Sequence, residues 1–109
     1  MAHFVCLIQE GQAAHNATTE LEAGLHAVYA RHFEEEATTV DWRPIPPGCM
    51  FTEGKPSTTS IITPRVAGPT TREEREAFMR EICDLWEHAT GCSHNEVLVA
   101  MTEIPSGSD

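Results

Sequence analysis

Three basic side chains fall outside the helices that the sequence predicts: Arg43, Lys55 and Arg65. Cations in such places suit a carboxylate ligand, and arginine grips one through two parallel hydrogen bonds. The structural alternative is solubility or an ion pair between subunits. His26 lies beside the apolar stripe of the first predicted helix. It is suited to give a proton or to anchor a carboxylate. The alternative is a half-buried packing histidine with one satisfied nitrogen. Glu103 follows the last predicted strand, where a carboxylate holds a water or a proton, or simply faces solvent. Tyr29 and His3 fit packing as well as a site.

His88, Cys92 and His94 form H-x-x-x-C-x-H, with Cys83 ahead of them. These are ligand types for zinc, but the spacing matches no familiar pattern. Histidine near a helix C-terminus also answers to the helix dipole. The expectation is no metal. No cofactor is expected either: the chain has no G-x-x-x-x-G-K-S/T loop and no G-x-G-x-x-G turn. A G-x-S-x-G elbow is also absent.

The chain has 109 residues, 17 acidic and 7 basic, for a formal net charge of −10. Nucleic acid is excluded as a partner, because phosphate binding needs a basic surface. An anionic membrane surface is disfavoured for the same reason. A site for a small carboxylate must therefore be locally basic. The run Phe4 to Ile8 is too short for a signal core and has no basic segment before it. No segment has the length of a membrane span. The expected compartment is the cytoplasm. There the cysteines Cys6, Cys49, Cys83 and Cys92 read as free thiols.

One small domain over residues 1–104 must position these groups, with a mobile tail at 105–109. The near-continuous apolar run at residues 3–9 predicts a strand buried on both faces. Thr19 and Glu22 make a T-x-x-E capping box, and Leu21, Leu25, Val28 and His32 then share one helical face. The run Glu34–Glu36 opposes the dipole and ends that helix. A second strand is expected at 38–42, stopped by Pro44 and Pro46, and a third at 57–63, stopped by Pro64. Thr71 and Glu74 start the clearest helix, which carries Phe78, Ile82, Leu85 and Ala89 and stops at Gly91. The last strand is expected at 97–102. The class is α/β: two tandem β-α-β units (about 2–44 and 57–104), four main strands and two helices. The ferredoxin-like fold and the tautomerase fold share this order of elements, and periodicity does not separate them.

The ordered set Pro47-Gly48-Cys49-Met50-Phe51, Ser60-Ile61-Ile62-Thr63, Arg72-Glu73-Glu74-Arg75 and Glu96 to Met101 resembles the tautomerase superfamily. The likeness is to malonate semialdehyde decarboxylase and cis-3-chloroacrylic acid dehalogenase, and it covers most of residues 2–104. It implies a homotrimer with its active sites at the chain's amino terminus. In that family a proline becomes the terminus and its amine is the catalyst; here the second residue is Ala2. Removal of Met1 leaves a primary amine on Ala2, a base or imine-former whose ordinary pKa is about 8. Of the family's close arginine pair, only Arg65 is carried over.

Two functions follow. One is an enzyme acting on a small 2-oxo, enol or unsaturated carboxylic acid by proton transfer, hydration or decarboxylation. Ala2 and His26 would be catalytic, and Arg65, Arg43 and Lys55 would bind substrate. The other is a non-catalytic trimer that binds a small molecule or a partner protein. An unrelated ferredoxin-like dimer is the third possibility.

Overall fold

The computed structural model describes residues 2–33 and 39–104. The expected helix end at Glu34–Glu36 and the tail at 105–109 lie outside them. Strand β1 (Ala2–Gln9) is followed by a short helix α1 (Ala13–Asn16), helix α2 (Thr18–Phe33) and strand β2 (Thr39–Ile45). A small hairpin, β3 (Phe51–Thr52) and β4 (Lys55–Pro56), leads to β5 (Ser60–Ala67). Helix α3 (Arg72–Thr90), a 3-10 turn (His94–Glu96), β6 (Val97–Val99) and β7 (Thr102–Ile104) complete the described chain.

In the main sheet β1 pairs with β2 in parallel, and β5 pairs with β6 and β7 in parallel. The two units join through the antiparallel pair β1–β5. Each unit thus keeps its own two strands side by side. A ferredoxin-like fold splits its β-α-β units, so the pairing decides between the two orders left open by sequence.

One face of the sheet carries the helices. Along β1, Ala2, Phe4, Cys6 and Ile8 alternate inward and are fully buried. Ile62, Pro64 and Val66 continue that layer from β5, beneath Leu21, Leu25, Phe78, Ile82 and Trp86. The helices meet closely at Gly24, where a Cβ would stand 2.5 Å from Leu85 Cδ1. A larger residue there must displace the Leu85 side chain.

Four sequence expectations change. Thr19 does not begin its helix: α2 already includes Thr18, and Glu22 accepts a hydrogen bond from Trp42 Nε1 at 2.8 Å. Pro44 does not stop β2, because β2 is an edge strand with one side free of ladder bonds. Pro64 does not stop β5 and sits inside it. Proline cannot donate to a ladder, and β5 has a gap at this place. β6 pairs with residues 60–62 and β7 with residues 65–67, so the single last strand expected at 97–102 is two short strands.

The second helix follows its sequence signals. Thr71 Oγ1 accepts from Glu74 N at 3.1 Å, and Glu74 Oε1 accepts from Thr71 N at 2.9 Å. Gly91 closes the helix at φ 73°, a left-handed conformation that glycine adopts without a Cβ clash.

Candidate active site

The first residue of β1 defines one end of the molecule. Because β1 and β5 run antiparallel, the start of β1 lies beside the end of β5. Ala2 stands opposite Val66, and Val66 stands beside Glu103 of β7. These three form a row on the helix side of the sheet. The next row, on the open side, is His3, Arg65 and Thr102. His3 Nδ1 is also hydrogen-bonded to Thr39 Oγ1.

Glu103 is held by two groups near the start of α3. Its Oε1 accepts from Thr70 Oγ1 at 3.0 Å and lies 3.5 Å from Arg75 Nη1. Arg75 also donates to the Thr70 carbonyl at 2.9 Å. Gly68 gives the carboxylate its room, since a Cβ there would come within 2.2 Å of Glu103 Oε2. Under this end lies an aromatic cluster. Phe4 meets Tyr29 and Phe78 at ring-centroid separations of 6.3 Å, and Tyr29 stacks on Phe33 at 5.0 Å. Burial pushes the Tyr29 hydroxyl above its ordinary pKa.

The sequence-derived site residues separate in space. Ala2 and Arg65 share this end. Among the described residues Arg65 makes no ion pair, and its side chain is exposed. Arg43 is engaged: Asp41 Oδ2 accepts from its Nε at 3.0 Å and from its Nη2 at 2.9 Å. Lys55 stands on the β3–β4 hairpin, in a recess with Thr58 and Glu96. His26 opens onto a groove of about 400 Å³ walled by Glu22 and Trp42. Trp42 lies beside Cys6, four residues along β1 from Ala2. Within the chain the structure does not bring His26, Arg43 or Lys55 to Ala2.

The architecture has close counterparts among solved structures. A fused 4-OT, a symmetric trimer, superposes with a TM-score of 0.87 at 14% identity, covering 98% of this chain and 89% of that one. A member of the cis-3-chloroacrylic acid dehalogenase family matches with a TM-score of 0.83 at 14% identity, over 94% and 75% of the two chains. Malonate semialdehyde decarboxylase, known in wild-type, mutant and inactivated forms, matches with a TM-score of 0.76 at 18% identity, over 97% and 87%. These are tautomerase-superfamily structures. The chain has the tautomerase fold. No protein-family model and no curated protein sequence matches it.

The sequence offers Ala2, Arg65 and Glu103 as candidate site residues, and Arg75 only as part of the stretch that carries the family likeness. Arg75 reads as an ordinary first-turn helix residue, and only the β5–α3 turn shows that it faces the end of β7. The cysteines are free. Cys6 is no nucleophile: burial, with Asp41 and Glu22 nearby, pushes its thiol up to about 12. His94 Nδ1 pairs with Glu87 Oε1 at 2.7 Å. Among the described residues no group of three or more His, Cys, Asp or Glu side chains is arranged to hold a metal. No described helix is long and apolar enough to cross a membrane.

Proposed function

We propose that this protein is a tautomerase-type enzyme acting on a small carboxylic acid that carries a keto, enol or unsaturated group. The observation that carries this reading is the row Ala2–Val66–Glu103 beside Arg65, within the tautomerase fold. With Met1 removed, the Ala2 amine is the base. A terminal amine has an ordinary pKa of about 8, so part of it is neutral near pH 7. Arg65 holds the substrate carboxylate. In a tautomerisation the neutral amine takes a proton from the enol hydroxyl, and a proton returns to the adjacent carbon. In a hydration Glu103 holds the attacking water. His26 opens onto the Trp42 groove and so reaches this substrate only from a neighbouring subunit. Arg43 and Lys55 reach a substrate only if they belong to a neighbouring subunit's site.

The working form in this reading is a cytoplasmic homotrimer. The open sheet face supports self-association: Leu7, Ile61 and Leu98 form an apolar row across three strands, with Leu98 50% exposed. The fused 4-OT trimer supports the number three.

Steady-state assays on phenylpyruvate and on 2-hydroxymuconate-type enols test the proposal. Turnover above buffer is expected. Arg65→Gln should raise KM by roughly tenfold or more, the size of a lost charged hydrogen bond, with folding unchanged. No rate on either substrate removes the tautomerase version. If activity then appears only in Ala2→Pro, the pocket is intact but the native chain lacks the catalyst, and the non-catalytic trimer is the better account.

A further inference from the structure

The tandem repeat gives the Ala2 end a counterpart. β1 and β5 are both eight-residue central strands that begin on a buried small residue, Ala2 in one and Ser60 in the other. Each is followed by a helix that returns across the same face. The antiparallel pairing puts the two strand starts at opposite ends of the sheet. At the Ser60 end the chain forms a cavity of about 190 Å³, walled by Thr58, Ser60, Thr90, Cys92 and Glu96, with Ala13 at its edge.

At the Ala2 end Arg75 faces Glu103, whereas the residues lining this cavity include Glu96 and no lysine or arginine. Two of its hydroxyl protons are committed elsewhere: Thr58 Oγ1 donates to Glu96 Oε2 at 2.8 Å, and Thr90 Oγ1 donates to the Trp86 carbonyl at 2.7 Å. The Thr58 oxygen therefore faces the space as an acceptor. Glu96 stays ionised, because the Ser93 backbone N–H, the Ser93 hydroxyl and the Thr58 hydroxyl hold its carboxyl down at about 2. The C-terminal end of the 19-residue helix α3, at Thr90 and Gly91, lines the same space and adds partial negative charge. Lys55 lines an adjoining recess with Thr58 and Glu96. The volume is below the range usual for drug-sized ligands, so the occupant is small.

We propose that the cavity at the start of β5 binds a small primary ammonium compound, with Glu96 as its counter-ion and Thr58 and Ser60 as hydrogen-bond acceptors. This site is separate from the one at Ala2 and does not depend on the proposed enzymatic reading.

Cys92 in the cavity wall is the reporter. The intact protein is treated with a small thiol reagent in the presence of propylammonium chloride or of sodium chloride at equal concentration, and the modified cysteines are mapped by mass spectrometry. Propylammonium should slow modification of Cys92 at least several-fold and leave the exposed Cys49 unchanged. Tetramethylammonium has no N–H donor and should not protect. Glu96→Gln should shift the protection midpoint by about tenfold or more, as expected for loss of a charged partner. Ala13→Leu, which fills the edge of the cavity without touching the Ser93 cap, should abolish protection. Equal modification of Cys92 with and without propylammonium overturns the proposal. So does protection that persists unchanged in both variants.

Discussion

The two ends of the central strand pair are built from the same backbone and opposite chemistry. Each begins a buried strand on a small residue, with a helix end close by. At the Ala2 end stand Phe4, Tyr29, Phe33 and Phe78, with Arg65 and Arg75 at the rim. At the Ser60 end stand hydroxyls, a thiol and an ionised carboxylate. The difference teaches that the repeat constrains the inward-facing alternation of the strands but leaves the polar groups at the strand starts free to diverge. On the two proposals, one chain of net charge −10 would take a carboxylate at the Ala2 end and an ammonium group at the Ser60 end.

The comparison breaks most visibly in the core. Phe78 is fully buried and contacts Phe4, Tyr29 and Phe33. Phe78→Ala should cost about 3–5 kcal/mol in denaturant unfolding. Trp86, its fully buried counterpart toward the other end, should cost a similar amount as Trp86→Ala. A loss under about 1 kcal/mol at either position would show that its end is not part of one cooperative core.

A smaller effect separates the two capping boxes. Thr71 caps a 19-residue helix, whereas Ser93 caps a three-residue 3-10 turn. Thr71→Ala should cost about 1 kcal/mol, and Ser93→Ala less. Urea midpoints at neutral pH rank the two, and the reverse order would mean that the Ser60 end depends on its turn more than the helix depends on its cap.

The smallest effect is in acid. The folded-state pKa of Glu96 is lowered to about 2 from an ordinary 4.5, so the unfolded chain binds more protons there. Its contribution to stability is fully present above about 4.5 and is lost as pH falls toward 2. Because the group is near solvent, the effect is modest. Glu96→Gln should flatten the fall in stability across that window. An unchanged slope would mean that the Ser93 and Thr58 bonds do not hold the carboxylate in solution.

Much of this architecture is legible in the sequence. The apolar run marks β1, although the strand buries one face and leaves the other half-buried where both were expected to be buried. The Thr71–Glu74 box and Gly91 mark both ends of α3. What is not legible depends on partners distant in sequence. Pro64 reads as a strand end until the gap between β6 and β7 shows that no ladder bond is required of it. Thr19–Glu22 reads as a cap until Trp42, twenty residues away, takes the carboxylate. At the candidate site, Arg65 and Glu103 are visible as residue types. Their approach to Ala2 comes from strand pairing, and Arg75 is hidden inside a helical pattern.

The central claim is a reactive amine on Ala2. Intact-protein mass spectrometry on the natively expressed chain, before and after borohydride reduction with a 2-oxo acid, tests it most directly. The expected result is a mass without Met1 and a trapped adduct that maps to Ala2. A retained Met1 with no adduct would contradict it and leave the fold without its proposed catalyst.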